Sequence, residues 1–220
     1  MLPLFPLSSV LFPGLVLPLH VFEERYRSLV RDLLELPEQQ RRFGVVCIRE
    51  GREVGVDGIT ALYGVGCSAR VTEVSHYSDG RYDLVTVGSE IFRLDQLHDD
   101  QAYFTGDVTW LPNTVGDPER AGALGRAVRA AFTAYLAALA AANQLELEAP
   151  ELPDDPLVLS HLIAATTLLD LADQQDLLAQ PDAVARLRRE LALLHREAGV
   201  LTHLRAVPSP ELARSPASPN

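Results

Sequence analysis

Ile59-Thr-Ala-Leu-Tyr-Gly-Val-Gly-Cys-Ser-Ala-Arg-Val-Thr-Glu-Val74, followed after Asp79-Gly80 by Tyr82-Asp-Leu-Val-Thr-Val87, is the stretch on which the fold turns. Both runs are rich in β-branched and aromatic residues, and the Asp-Gly pair between them tolerates positive φ, so the pattern predicts a hairpin. The first run is long for one straight strand. Gly64 and Gly66 are where a bulge or bend is expected, because glycine lets a strand kink. Phe43–Ile48, Ile91–Leu97 and Tyr103–Leu111 read as further strands, and Asp57-Gly58 as another turn. Several short strands of this kind predict a small curved sheet closing toward a barrel.

Working outward, residues 2–19 read as extended segments punctuated by proline, which forbids regular ladder bonding and disfavours helix in its predecessor. From Phe22 the period changes. Phe22, Tyr26, Leu29, Val30, Leu33 and Leu34 fall on one helical stripe, with Glu24, Arg27, Ser28 and Arg31 outward, and Pro37 ends the helix. Beyond Asn113 the chain is helical in pattern. Residues 119–142 are Ala-rich with apolar residues at helical spacing. Asp155 reads as an N-cap with Pro156 in the first turn, a short helix is expected over Asp173–Ala179, and a last helix follows Pro181-Asp182. The latter carries Val184, Leu187, Leu191, Leu194, Ala198, Leu201 and Leu204 on one stripe. The acids between Leu145 and Asp155 read as a solvated linker. The expected organisation is α+β: a β domain over 1–112, a helical subdomain over 113–207 and a disordered Pro/Ser-rich tail over 208–220.

Composition narrows the function. The net charge is −11, with 19 basic and 30 acidic side chains, and neither half of the chain is basic. Nucleic acids and acidic membrane surfaces select cationic patches, so both are disfavoured as partners. The apolar N-terminus lacks a preceding positive region and holds prolines at 3, 6, 13 and 18, which argues against a signal peptide. No uninterrupted apolar run of about 18 residues marks a membrane span. Cys47 and Cys67 lie in apolar strand-like runs and read as reduced buried thiols, so the cytoplasm is the expected location.

Several segments together resemble one family. Leu2-Pro-Leu-Phe-Pro-Leu7, Leu11-Phe-Pro-Gly14, Leu17-Pro-Leu-His-Val-Phe-Glu-Glu-Arg-Tyr26 and Phe43-Gly-Val-Val46 resemble the N-terminal domain of Lon proteases and its stand-alone relatives. Tyr63-Gly-Val-Gly-Cys-Ser-Ala-Arg-Val71 and Gly80-Arg-Tyr-Asp-Leu-Val-Thr-Val-Gly-Ser-Glu-Ile-Phe-Arg-Leu94 are similar to its second and third core segments. Leu159-Ser160, Gln175-Asp-Leu-Leu-Ala179 and Ala185-Arg-Leu-Arg-Arg-Glu-Leu191 resemble its helical part. The resemblance runs from residue 2 to about 204 with order and spacing kept. It implies a PUA-like β pseudobarrel followed by a helical subdomain, and a role in capturing unfolded or tagged polypeptides, without the ATPase and protease of full-length Lon.

The sequence contains no lysine. A Walker A loop needs lysine for its phosphates, and Lon-type proteolysis pairs serine with a lysine base, so neither can be assembled from these residues. No Gly-x-Ser-x-Gly elbow singles out a serine. Gly64-Val-Gly-Cys-Ser-Ala69 fits a relaxed dinucleotide fingerprint, but the strand-like Arg70–Val74 follows where a helix is required. The six histidines, at 20, 76, 98, 161, 195 and 203, show no ligand spacing, and His20 reads as a structural hydrogen-bonding residue. No cofactor and no metal are expected. What remains is binding of polypeptides, with an ATP-dependent protease as a further candidate partner; the alternative implied by a PUA-like fold is RNA binding, which the acidic balance opposes. An apolar groove or free sheet edge would carry polypeptide recognition. Phe12 and Leu15 flank the Pro13-Gly14 turn and either stand on the surface there or cover the core. Glu24, Arg25 and Arg27 begin the outward helix face and either select charged positions in a client or are simply solvated.

Overall fold

Among the residues that the computed structural model describes, 1–51, 59–144 and 150–206, the chain forms six strands and five α-helices. The strands are β1 (Leu2–Leu7), β2 (Val16–Val21), β3 (Arg42–Gly51), β4 (Ile59–His76), β5 (Tyr82–His98) and β6 (Thr105–Trp110). The helices are α1 (Glu24–Leu34), α2 (Pro118–Asn143), α3 (Pro156–Thr166), α4 (Leu171–Leu178) and α5 (Ala183–Ala206). The Asp57-Gly58 turn, the acidic residues 145–149 and the tail from 208 lie outside the described residues.

The sheet order is β2-β5-β4-β3-β1-β6, and β6 pairs with β5 as well, so five strands close into a ring with β2 attached to β5. Only β1 and β3 run parallel among the paired strands. Closure depends on β5 serving two neighbours. Its first half pairs with β2 and its second with β6. The sequence pattern separates residues 82–87 from 91–97 into two strands; the chain instead runs through as one strand, bent at a bulge. Register against β4 passes from Ala69↔Gly88 to Cys67↔Ile91, so Ser68 alone faces Ser89 and Glu90. The Ser68 hydroxyl accepts the Glu90 N–H at 2.9 Å, which satisfies the donor that the bulge withdraws from the ladder.

The expected hairpin is present, with Gly80 at φ 85° and its N–H donating to the Tyr77 carbonyl at 2.9 Å. The expected irregularity in β4 is present too. Register against β3 passes from Val46↔Gly66 to Ile48↔Leu62, leaving residues 63–65 opposite one. Gly66 itself answers a packing need: a Cβ there would stand 2.5 Å from the Val45 carbonyl oxygen and 2.6 Å from the Phe92 ring.

Inside the curved sheet, Phe5 stacks on Tyr26 with ring centroids 4.0 Å apart, and α1 lays Tyr26, Leu29, Val30 and Leu33 onto Phe43, Val45 and Leu84. The helix begins at Glu24, not Phe22. Phe22 precedes the N-cap Glu23 and stands 52% exposed, off the stripe that its spacing to Tyr26 assigns it. A second core joins α2, α3 and α5 through Val128, Phe132, Tyr135, Leu159, Ile163, Leu187 and Leu194.

Local capping sets the helix starts. Asp117 accepts from the N–H of Glu119 and Arg120, and Asp155 from Leu157 and Val158, each ahead of a proline. Asp170 caps α4 two residues earlier than periodicity alone places it. Of the acidic stretch before α3, the described part is tethered: Arg129 donates to the carbonyls of Leu152, at 3.0 Å, and Pro153. A third cluster bridges sheet and helices, with Phe12 and Ile91 against Ala164, Leu177, Leu178 and Leu193. No described helix is long and apolar enough to cross a membrane.

Candidate functional site

The turn at Pro13-Gly14 is pinned to β5 by two backbone bonds, Gly14 N–H to the Gly88 carbonyl at 2.8 Å and Gly88 N–H to the Leu15 carbonyl at 2.9 Å. That bond pair directs Phe12 inward. Its ring is 1% exposed and lies 6.3 Å from the His161 ring, between sheet and helices. The surface position considered for Phe12 is therefore corrected: Ala164 of α3, Leu177 and Leu178 of α4 and Leu193 of α5, from far along the chain, close over it. Leu15 is half-buried and touches the sheet core and the bridging cluster together.

The charges at the start of α1 are largely engaged with one another. Glu24 is exposed and pairs with Arg27 at 3.1 Å and Arg31 at 2.5 Å. Arg25 is not on the outward face. Its side chain is only 13% exposed, its guanidinium lies 4.4 Å above the Tyr26 ring, and it pairs with Glu23 at 3.1 Å. The Arg27 guanidinium lies against Gly80 at the tip of the hairpin. The structure thus separates Phe12 from Glu24, Arg25 and Arg27 rather than gathering the five into one site.

A different hollow emerges beside them. Phe5, Pro6 and Leu7 of β1 and Leu19, His20 and Val21 of β2, with Phe22, Glu23 and Tyr26, line a groove of about 190 Å³. In the described pairings, β2 pairs with β5 alone and Phe5–Leu7 of β1 with β3 alone, so two strand edges without a further paired strand meet at this groove. Both edges carry proline, Pro6 and Pro18, which removes donors that an added strand would need. The groove is consequently built for side-chain burial more than for strand addition. Its volume lies below the few hundred Å³ of a typical small-molecule pocket and suits a single apolar side chain.

One rim of the groove is a hydrogen-bonded polar cluster. His20 Nδ1 stands 2.6 Å from Asp83, the Tyr77 hydroxyl donates to the same carboxylate at 2.5 Å, and Arg81 pairs with Asp79 at 2.7 Å. These two donors hold the Asp83 carboxyl below its ordinary range, Tyr77 first and His20 second. His20 thus has the hydrogen-bonding role that the sequence suggests. Residue chemistry missed Phe22 because its i, i+4 spacing to Tyr26 mimics a helical stripe; its place just ahead of two glutamates, as good helix starters, is the signal that could have exposed it.

A second hollow of about 440 Å³ gathers Met1, Leu36 and Trp110, with Arg42 stacked 4.9 Å over the Trp110 ring. Elsewhere, Cys47 and Cys67 are buried, and burial pushes the Cys67 thiol up to about 12, so it is not a poised nucleophile. Among the described residues no group of three His, Cys, Asp or Glu side chains gathers as a metal site.

Comparison with known proteins gives one answer at every level. The family model of the ATP-dependent protease La (LON) substrate-binding domain matches residues 1–196. Lon protease 2 of Myxococcus xanthus is 29% identical over 202 residues, 91% of this chain and 24% of that protein. The Lon protease of Escherichia coli strain K12 is 26% identical over 201 residues, 91% of this chain and 25% of that protein. The chain therefore spans about a quarter of the length of these relatives. Among solved structures, the Lon N-terminal domain protein from Xanthomonas campestris aligns with a TM-score of 0.61 at 28% identity, covering 87% of this chain and 96% of that one. The N-terminal domain of the Mycobacterium avium complex Lon protease aligns with a TM-score of 0.63 at 18% identity, covering 88% and 97%, a likeness of fold.

Proposed function

This chain belongs to the family of the ATP-dependent protease La (Lon) substrate-binding domain, and on that footing we propose that it is a non-catalytic recognition or adaptor protein for unfolded or degron-bearing polypeptides. The observation that carries the reading is the groove between the edges of β1 and β2, with its apolar floor and the exposed Phe22 on its lip. Burying one large apolar side chain contributes about 1.5–3 kcal/mol. Affinity for an extended client then comes from one or a few anchors in a shallow site, which suits release as well as capture.

Leu15, Glu24 and Arg27 are kept in the proposal as secondary contacts outside the groove lining, and Arg25 supports the groove through Tyr26. Phe12 takes part only if the helices move. The same proposal keeps residues 1–112 as the binding domain and 113–207 as a helical subdomain, places the protein in the cytoplasm and makes an ATP-dependent protease a second partner.

The test is titration of the purified chain with a permanently unfolded protein, such as reduced and carboxymethylated lactalbumin, followed by fluorescence anisotropy. Saturable binding is expected. Phe22→Ser weakens it about tenfold, the loss of one well-buried anchor. Leu168→Ser, an apolar residue 67% exposed on the helical side, leaves it unchanged. Equal losses from both substitutions, or no saturable binding, would remove the groove from consideration. Crosslinking in the native host, recovering a protease and client chains, tests the adaptor role.

A further inference from the structure

The ladder between β3 and β4 ends at Arg42↔Arg70, and the Val71 N–H then donates to the Arg41 carbonyl at 2.9 Å. β4 continues beyond that point. From Glu73 to His76 it pairs with β5 alone, so its other edge has no paired strand among the described residues. Thr72 is the extra residue of a bulge against β5, and its hydroxyl donates to the Val85 carbonyl at 2.9 Å. Thr72, Glu73, Ser75 and His76 are exposed. Unlike the edges of β1 and β2, this one carries no proline, so every residue of Val71–His76 retains its N–H. The singly paired span is about 13 Å long at about 3.3 Å per residue, room for a short extended segment.

The edge opens beside a hollow of about 530 Å³ whose lining includes Glu38, Arg41, Arg70, Val71 and Thr72. Its arginines stand out in this chain. The other described arginines ahead of α2 each pair with a carboxylate, whereas among the described residues Arg41 and Arg70 pair with none. Arg41 is nonetheless held in place, donating to the carbonyls of Leu36 at 3.0 Å and Leu34 at 3.3 Å at the end of α1. Arg70 is exposed, and its cross-strand neighbour Arg42 gives its own charge to Glu90 at 2.8 Å. In a chain of net charge −11, two guanidiniums without carboxylates offer acidic side chains what most of the surface denies them. Glu38 on the same lining and the exposed Glu73 farther along the edge oppose a uniformly acidic ligand and restrict its acids to one end.

We propose that the free edge of β4 takes up an extended polypeptide segment by strand addition, with acidic side chains at one end of that segment held by Arg41 and Arg70. Main-chain pairing supplies affinity, and the two arginines set which end of the segment lies at the hollow. The site shares no lining residue with the groove between β1 and β2, and each can fail without the other.

Three short fluorescein-labelled peptides test this by anisotropy: two aspartates followed by alternating Val and Thr, the same peptide with lysines for the aspartates, and the aspartate peptide N-methylated along its backbone. Saturable binding of the first is expected, at least about tenfold tighter than of either other peptide. Arg70→Gln weakens it about threefold, and together with Arg41→Gln about tenfold, as partly exposed ion pairs do. Glu38→Gln strengthens it about twofold. Arg188→Gln, which removes an exposed charge from α5, leaves it unchanged, so the arginine effects do not report net charge alone. Equal binding of the lysine peptide overturns the role of the arginines, equal binding of the N-methylated peptide overturns strand addition, and no saturable binding overturns both. Displacement of the bound peptide by an equal charge of polyuridylate makes the hollow a general polyanion site and overturns the assignment as well. Should Arg41→Gln lower the unfolding midpoint by freeing the end of α1, the exposed Arg70→Gln carries the test alone.

Discussion

Within the closed sheet, buried polar side chains are short and find backbone partners: Ser68 receives the Glu90 N–H, and Thr86 donates to the Leu17 carbonyl at 2.8 Å. Among the helices and where they meet the sheet, the buried polar side chains are long, the ionisable Arg186, Glu190 and His161 and the amide Gln175, and all but Arg186 retain an unpartnered atom. Strand ladders satisfy backbone groups as they form, so a hydroxyl is enough to mend a bulge. Helices satisfy their backbone internally, and their contact with another layer must be written in side chains, whose reach rarely fits every donor and acceptor. One region is held by matched groups and the other by apolar contact working against mismatched ones.

The largest expected effect lies inside the sheet. Phe92→Ala empties the space against Gly66 and Leu4 and is expected to cost about 3–5 kcal/mol. Trp110, the only tryptophan, stands edge-on to that ring at 5.9 Å, so its fluorescence reports the denaturant midpoint directly.

Acid sharpens the contrast next. Burial, and secondarily the Arg186 charge, lowers the His161 pKa from 6.5 to about 3. A depressed pKa means that the neutral form is favoured in the folded chain, so this stability is present above about 6.5 and is lost as pH falls toward about 3. Between pH 7 and 4 the loss is on the order of 3 kcal/mol, and in His161→Gln the denaturation profile over that range flattens correspondingly. Glu190 has the opposite sign. Burial raises its pKa well above the ordinary carboxylate value, so its contribution is present in acid and is lost as pH rises through the folded value. Glu190→Gln is expected to remove that loss, so that stability falls less as pH is raised above the ordinary carboxylate value. An unaltered profile in both variants would show that the helical side is not where the ionisable burden lies.

Smaller effects separate the layers further. Ser68→Ala orphans the bulge N–H and is expected to cost about 1 kcal/mol, and Asp155→Ala, which uncaps α3, about the same, both read by thermal unfolding. Phe22→Ser changes stability by less than about 0.5 kcal/mol, since the ring is already half in water, while client binding falls. A large stability loss from Phe22→Ser would show that the groove lip is part of the core.

The amino-acid sequence by itself determined what short-range physics decides. Asp155 with Pro156 starts a helix because a carboxylate bonds to N–H groups two and three residues on. Asp79-Gly80 turns the chain because Gly80 sits at positive φ, and the Gly64–Gly66 region loosens β4 for lack of side chains. The absence of lysine excludes a Walker A loop and a Ser–Lys dyad regardless of fold. Tertiary structure alone decided which apolar residues face water. Phe12, beside a turn, disappears beneath Ala164, Leu177 and Leu193, while Phe22, whose spacing assigns it to a helical stripe, stays outside. Arg25 spends its charge on Glu23 and its face on Tyr26. Burial is set by surfaces that arrive from far along the chain, and spacing within one segment carries no record of what will cover it.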